Sequence, residues 1–102
     1  MIHLIFDPVN LLCVDNIDKQ DEIIEKAFEL LGDDIAVVHC KDYVVEGNEL
    51  KSIAAGTGSL NYPLLLKKIK EYKPYVHCTL ENTVPENAVA TREFMERTYA
   101  EV

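Results

Sequence analysis

Three ionisable side chains close three separate apolar runs in this sequence. Ile2–Asp7 ends in Asp7, Asp34–Asp42 carries His39 near its end, and Tyr75–Glu81 ends in Glu81. An imidazole with two carboxylates is a borderline-to-hard donor set of the kind that holds Mn2+, Zn2+ or Mg2+. Such an ion polarises a carbonyl while a carboxylate removes the neighbouring proton. The bland alternative is three polar residues that solvate the rim of a sheet. Their equivalent placement in three runs argues for a shared site.

The elements that must position them follow from the pattern. Asp34–Asp42 (Asp-Ile-Ala-Val-Val-His-Cys-Lys-Asp) begins after a helix-stop signal at Gly32-Asp33-Asp34 and is rich in β-branched residues. It reads as a strand buried on both faces. Alternation puts Val37, His39 and Lys41 on one face and Val38 and Cys40 on the other. His39 then stands at the mouth of a parallel sheet, where α/β proteins bind their ligands.

Between the strands the helical signals are plain. Asp15, Asn16 and Asp18 offer N-cap oxygens, and Ile23, Ile24, Ala27, Phe28, Leu30 and Leu31 recur at helical spacing, so a helix is expected from about Asp18 to Leu31 with Gly32 as its C′ residue. In the irregular stretch Tyr43–Ser59, Glu46-Gly47-Asn48-Glu49 can turn a small hairpin over the sheet mouth. Gly56-Thr57-Gly58 reads more readily as a tight turn than as a phosphate cradle. Ser59 or Asn61 can cap a second helix, with Pro63 in its first turn, Leu64, Leu65, Leu66 and Ile69 inside, and Lys73-Pro74 at its end. A last helix is expected from about Pro85 to Ala100, with Ala88, Val89, Phe94, Met95 and Tyr99 as inner residues. Strand and helix alternate three times, and crossovers of this length require parallel strands.

Composition bounds the rest. With 102 residues, 48% hydrophobic and 27% charged, the chain suits one small α/β domain. No apolar run approaches the roughly 20 residues of a membrane span and no signal-like core opens the chain, so a cytoplasmic, membrane-free location is the default expectation. A net charge of −8 argues against nucleic acid as a partner. Cys13, Cys40 and Cys78 are an odd number without metal-finger spacing, and Cys40 and Cys78 are expected as reduced thiols packed under helices.

At Phe6-Asp7-Pro8-Val9-Asn10, Val38-His39-Cys40-Lys41-Asp42, Gly56-Thr57-Gly58 and Leu80-Glu81-Asn82 the chain resembles the C-terminal part of the sugar phosphate isomerase/epimerase superfamily, the xylose isomerase-like TIM barrels that include AP-endonuclease-type members. The resemblance spans essentially the whole chain and corresponds to the last three of eight strand–helix units. It implies a partial (β/α)8 barrel over residues 1–102. It also implies a divalent metal (Mn2+, Mg2+ or Zn2+) on Asp7, His39 and Glu81, and a sugar or sugar phosphate as substrate. Glu81 matches one of the two carboxylates that shuttle the proton. Asn10 stands where many members have a histidine. With Lys41 and Asp42 it is expected at the substrate, Asp42 orienting either the loop or a substrate hydroxyl.

A whole barrel takes about 250 residues, and the family's remaining metal-binding Glu, the partner base, would lie on an upstream strand. Two classes are therefore carried forward: part of a metal-dependent isomerase or epimerase, and a non-catalytic remnant that oligomerises. An AP-endonuclease role fits the acidic balance poorly. The inward face of such a unit (His3, Ile5, Val37, His77, Thr79) would need cover, and open strand edges invite pairing, so a homo-oligomer is expected.

Overall fold

A computed structural model describes residues 4–102 of the chain. Strand β1 (Leu4–Phe6), helix α1 (Gln20–Leu31), strand β2 (Ile35–Cys40), a hairpin of β3 (Asp42–Glu46) and β4 (Glu49–Ile53), helix α2 (Tyr62–Tyr72), strand β5 (His77–Leu80) and helix α3 (Ala88–Glu101) follow in order. The fold is mixed α/β. Its principal sheet has the order β1-β2-β5, all parallel, with Phe6 opposite Val38 and Val38 opposite Cys78. His3, expected on the inward face, lies outside the described residues.

One face of β2 is fully enclosed: Val38 and Cys40 are 0% exposed beneath α1 and α2. Phe28 and Ile24 of α1 and Leu65, Leu66 and Ile69 of α2 close over them. Phe6 meets the Phe28 ring edge-on at 5.2 Å between centroids. Each such side chain, moved from water into this layer, contributes about 1.5–3 kcal/mol. The opposite face departs from the expectation of a strand buried on both sides. Val37 and His39 are only half-buried, and Ile5 is 62% exposed. Among the described residues helices cover one side of the sheet, so the β-branched run of β2 is enclosed on one side only.

Local chemistry explains most element ends. Asn61 caps α2 by accepting the Leu64 N–H at 3.2 Å, and Pro63 occupies its first turn. The hairpin forms where expected, with Gly47 at φ +66° and Glu46 opposite Glu49. α1 begins two residues later than anticipated, because Ile17–Lys19 forms a 3-10 turn before it. Gly32 is not a left-handed C′ residue: its φ is −51°. A Cβ there would lie 2.9 Å from the Tyr72 ring, so the glycine admits the end of α2 against the end of α1. α3 starts at Ala88 rather than Pro85. Its buried residues are Thr91 and Thr98, and Val89, expected inside, is 59% exposed. The α3 surface facing α2 is less apolar than the sequence pattern suggested.

The loop after the hairpin is tied down by one buried carboxylate. Asp42, 0% exposed, accepts backbone N–H bonds from Tyr43 (2.9 Å) and Leu60 (2.8 Å) at Oδ1, and from Gly56 and Gly58 (both 3.0 Å) at Oδ2. The Gly-Thr-Gly nest is thus filled by the protein's own anion, which supports the turn reading over a phosphate cradle. Gly56 takes φ +87°, and a Cβ on Gly58 would run into the Tyr43 carbonyl.

Replacing Asp42 with Ala strands four N–H groups and is expected to cost about 3–5 kcal/mol. Urea denaturation checks it; a loss below about 1 kcal/mol would mean that the loop holds without its anion.

Candidate functional site

Parallel register does the assembly. β1, β2 and β5 run the same way with their C-terminal ends level, so the residues that close them meet at one rim. The ladder extends one step beyond β5, where Glu81 N–H donates to Cys40 O at 2.9 Å and fixes Glu81 beside the end of β2. Asn82 then reverses the chain at φ +57°, a conformation Asn tolerates better than most residues.

Asp7, His39 and Glu81 each offer one ligand atom within 4.8 Å of the others, and all three are half-buried. His39 Nδ1 lies 3.0 Å from Glu81 Oε1. Two donors bound side by side to one ion at metal–ligand lengths of about 2.0–2.3 Å sit roughly 3–3.5 Å apart. The pair is therefore spaced to share an ion, and Asp7 needs only a small inward movement.

Lys41 lies inside the same cluster. Its Nζ is 3.2 Å from Asp7 Oδ2 and donates to Asn10 Oδ1 at 3.2 Å, with the lysine side chain 15% exposed and that of Asp7 9%. Asn10 belongs to a 3-10 turn, Pro8–Leu11, capped by Asp7, whose Oδ1 accepts the Asn10 N–H at 3.4 Å. Sequence reasoning placed Asn10 and Lys41 at a substrate; the structure places both at the rim, against Asp7. Of the two roles expected of Asp42, orienting the loop is the one the structure shows: its two oxygens accept four loop N–H groups in a fully buried position.

One residue went unremarked in the sequence. Tyr62, at the start of α2, is buried and donates its hydroxyl to Lys41 O at 2.6 Å, fixing the backbone that carries Lys41. Burial raises its pKa, with the Cys40 thiol and the Asp42 and Asp7 carboxylates adding to the effect. Its apolar neighbours in the sequence, Leu60 and Leu64–Leu66, masked this role.

Beneath the rim, on the other face, Cys40 and Cys78 lie diagonally across the β2–β5 ladder. Cys40 is buried as expected, but Cys78 is exposed on the edge strand rather than packed under a helix. An S–H···S interaction between them and burial raise the pKa of Cys40; the same interaction lowers that of Cys78.

No family model matches this chain, and neither the curated proteins nor the solved structures contain a match to it. No helix among the described residues is long and apolar enough to cross a membrane.

Iodoacetamide should alkylate Cys78 and Cys13 in the folded protein and reach Cys40 only after unfolding. Peptide mass mapping over time measures this; equal labelling of Cys40 and Cys78 in the native state would contradict the burial asymmetry.

Proposed function

We propose that this chain is part of a divalent-metal-dependent sugar or sugar phosphate isomerase/epimerase, with Asp7, His39 and Glu81 as the metal ligands. The convergence of these three side chains, from the ends of three separate strands to within 4.8 Å, is the observation that carries the reading. With the β3–β4 hairpin set aside as an insertion, the alternation of parallel strands and helices is compatible with a segment of a TIM barrel, and the cluster stands at the sheet end where such barrels work. The donor set fits Mn2+, Mg2+ or Zn2+, and the ion, when bound, would polarise a substrate carbonyl.

The remaining roles belong to the chain. His39 Nδ1 turns toward Glu81 Oε1, so a cation bound between them would replace that contact. Glu81, at the most open edge of the cluster, is the carboxylate placed to accept a proton from the carbon next to the carbonyl. Lys41 and Asn10, just beyond the C-terminal ends of β2 and β1, face the same rim and would take substrate oxygens. An epimerisation needs a second base on the opposite face of the substrate, and the described residues of this cluster offer no carboxylate besides Glu81 and the Asp7 engaged by Lys41. The 102-residue chain by itself is therefore read as inactive.

A second reading rests on a specific observation. The cluster is already paired, Lys41 with Asp7 and His39 with Glu81. Such pairing suits a non-catalytic rim held together by its own charges.

Calorimetric titration with Mn2+ and Zn2+ separates the two. The metal reading expects weak but saturable binding that His39→Ala lowers at least about tenfold, with a concentration-dependent rise in melting temperature in the unaltered protein only. Equal binding by both proteins would remove the shared site and leave the self-paired rim.

A further inference from the structure

The face of the sheet beneath the helices carries a second donor set, and it is built of sulfur. In the β2–β5 ladder Val38 stands opposite Cys78 and Cys40 opposite Leu80. Cys40 and Cys78 therefore share one face of neighbouring strands, two residues out of step. Their thiols meet in an S–H···S interaction. Nothing in the sequence spacing pairs them; the parallel register does.

Between α2 and α3 an open cleft of about 210 Å³ lies over Cys78. It is lined by Leu66 of α2, by Cys78, and by Met95, Glu96 and Tyr99 of α3. Met95 also packs against the core from its place in α3. Two thiols and a thioether thus come to one place from β2, β5 and α3. Cys40 is 0% exposed, whereas Cys78 is open to solvent, so the way in for a small ion runs past Cys78.

Spacing separates the two things that such a pair of thiols can do. Strands lie about 4.8 Å apart and rise about 3.3 Å per residue, so Cα atoms on this diagonal are roughly 8 Å apart. A disulfide needs Cα atoms within about 7 Å of each other. Closing one would strain the ladder that Glu81 N–H and Cys40 O complete. An interposed ion needs no such movement. At sulfur–metal lengths of about 2.3 Å, two thiolates on opposite sides of one ion sit roughly 4–5 Å apart.

We propose that Cys40, Cys78 and Met95 form a binding site for a soft monovalent metal ion, Cu(I) above all, with the two thiolates across the ion and the thioether closing a third side. Thiolate and thioether donors select Cu(I), whereas the imidazole and carboxylates at the rim suit harder divalent ions. Each thiol releases its proton to solvent as its bond to the metal forms, and neither metal nor sulfur changes oxidation state. Two thiolates on a monovalent ion leave one negative charge. The carboxylate that lines the cleft, Glu96, is paired with Arg92, and Lys70 brings a positive charge to the Tyr99 side, 4.4 Å from the centre of that ring. The sulfur site lies on the opposite face of β2 and β5 from His39 and Glu81, and it holds whether or not the rim binds metal.

Cu(I) titration of the reduced Cys13→Ser protein, without oxygen and against a chromogenic Cu(I) chelator, is expected to give one ion per chain with thiolate-to-copper absorption in the near ultraviolet. Cys78→Ser, at an exposed position, should lower the affinity at least about a hundredfold, and Met95→Leu, which keeps the volume, about tenfold. Ag(I), a redox-silent probe of the same softness, should block alkylation of Cys78. Saturating Mn2+ should leave the Cu(I) affinity unchanged, so failure of the sulfur site and failure of the rim read differently. Cu(I) affinity unaltered by Cys78→Ser or by Met95→Leu, or ready closure of a Cys40–Cys78 disulfide in the folded protein under mild oxidation, would each overturn the site.

Discussion

Everything at the rim depends on β2 being hydrogen-bonded on both sides in parallel register. Phe6, Val38 and Cys78 form one row of the ladder, and the ladder continues until Glu81 N–H meets Cys40 O. Because side chains alternate, this single constraint decides two things together. It turns Val38 and Cys40 into the helical layer and turns His39 toward Glu81 on the other face. A one-residue slip of either neighbour would exchange the faces and disperse the cluster.

A second constraint holds the ground around it. The chain leaves β2 through Lys41 and Asp42, and these adjacent residues do opposite work. Asp42 points into the protein and gathers the loop that returns the chain to α2. Lys41 points to the rim and ties Asp7 and Asn10 to it. Tyr62 joins the two halves of this junction, since its hydroxyl holds the Lys41 carbonyl from the helix that the Asp42 loop leads into. The loop and the rim are therefore set by the same few residues.

Much of this was legible in the sequence because its causes are local. Apolar runs, the Asn61 cap, the Gly47 turn and the alternation of Val37, Val38, His39 and Cys40 each act within a few residues. The meeting of Asp7, His39 and Glu81 was legible for one further reason: strand ends become neighbours wherever strands are parallel. What escaped depends on which surfaces meet at a distance. Gly32 looked like a helix stop and serves a close approach by Tyr72, forty residues away. The sequence left Asp42 between the loop and a substrate hydroxyl; only the distant loop N–H groups of Gly56, Gly58 and Leu60 decide for the loop. Cys78 and Val89 looked like core because their neighbours are apolar, yet β5 is an edge strand and α3 turns Val89 away from α2. Periodicity indicates that a side chain has an apolar face for company; it does not supply the partner.

The charges at the rim set conditions on anything that binds there. Asp7 and Glu81 bring two negative charges and Lys41 returns one, so with His39 neutral the cluster carries a net charge of minus one. A monovalent cation would only neutralise it. A divalent cation would turn it to plus one, in a half-buried setting where Coulomb interactions are stronger than in water. An oxygen-rich anion would then be favoured over a neutral ligand. An ion held there would need one oxygen of Asp7. Its Oδ2 faces Lys41 at 3.2 Å, whereas its Oδ1 accepts only a long 3.4 Å bond from the Asn10 N–H. Oδ1 is thus the oxygen that can be given up at small cost, leaving Lys41 in place to face the incoming ligand. The contact that offsets the charge of Asp7 and the contact that would orient a substrate are then the same, before and after an ion arrives.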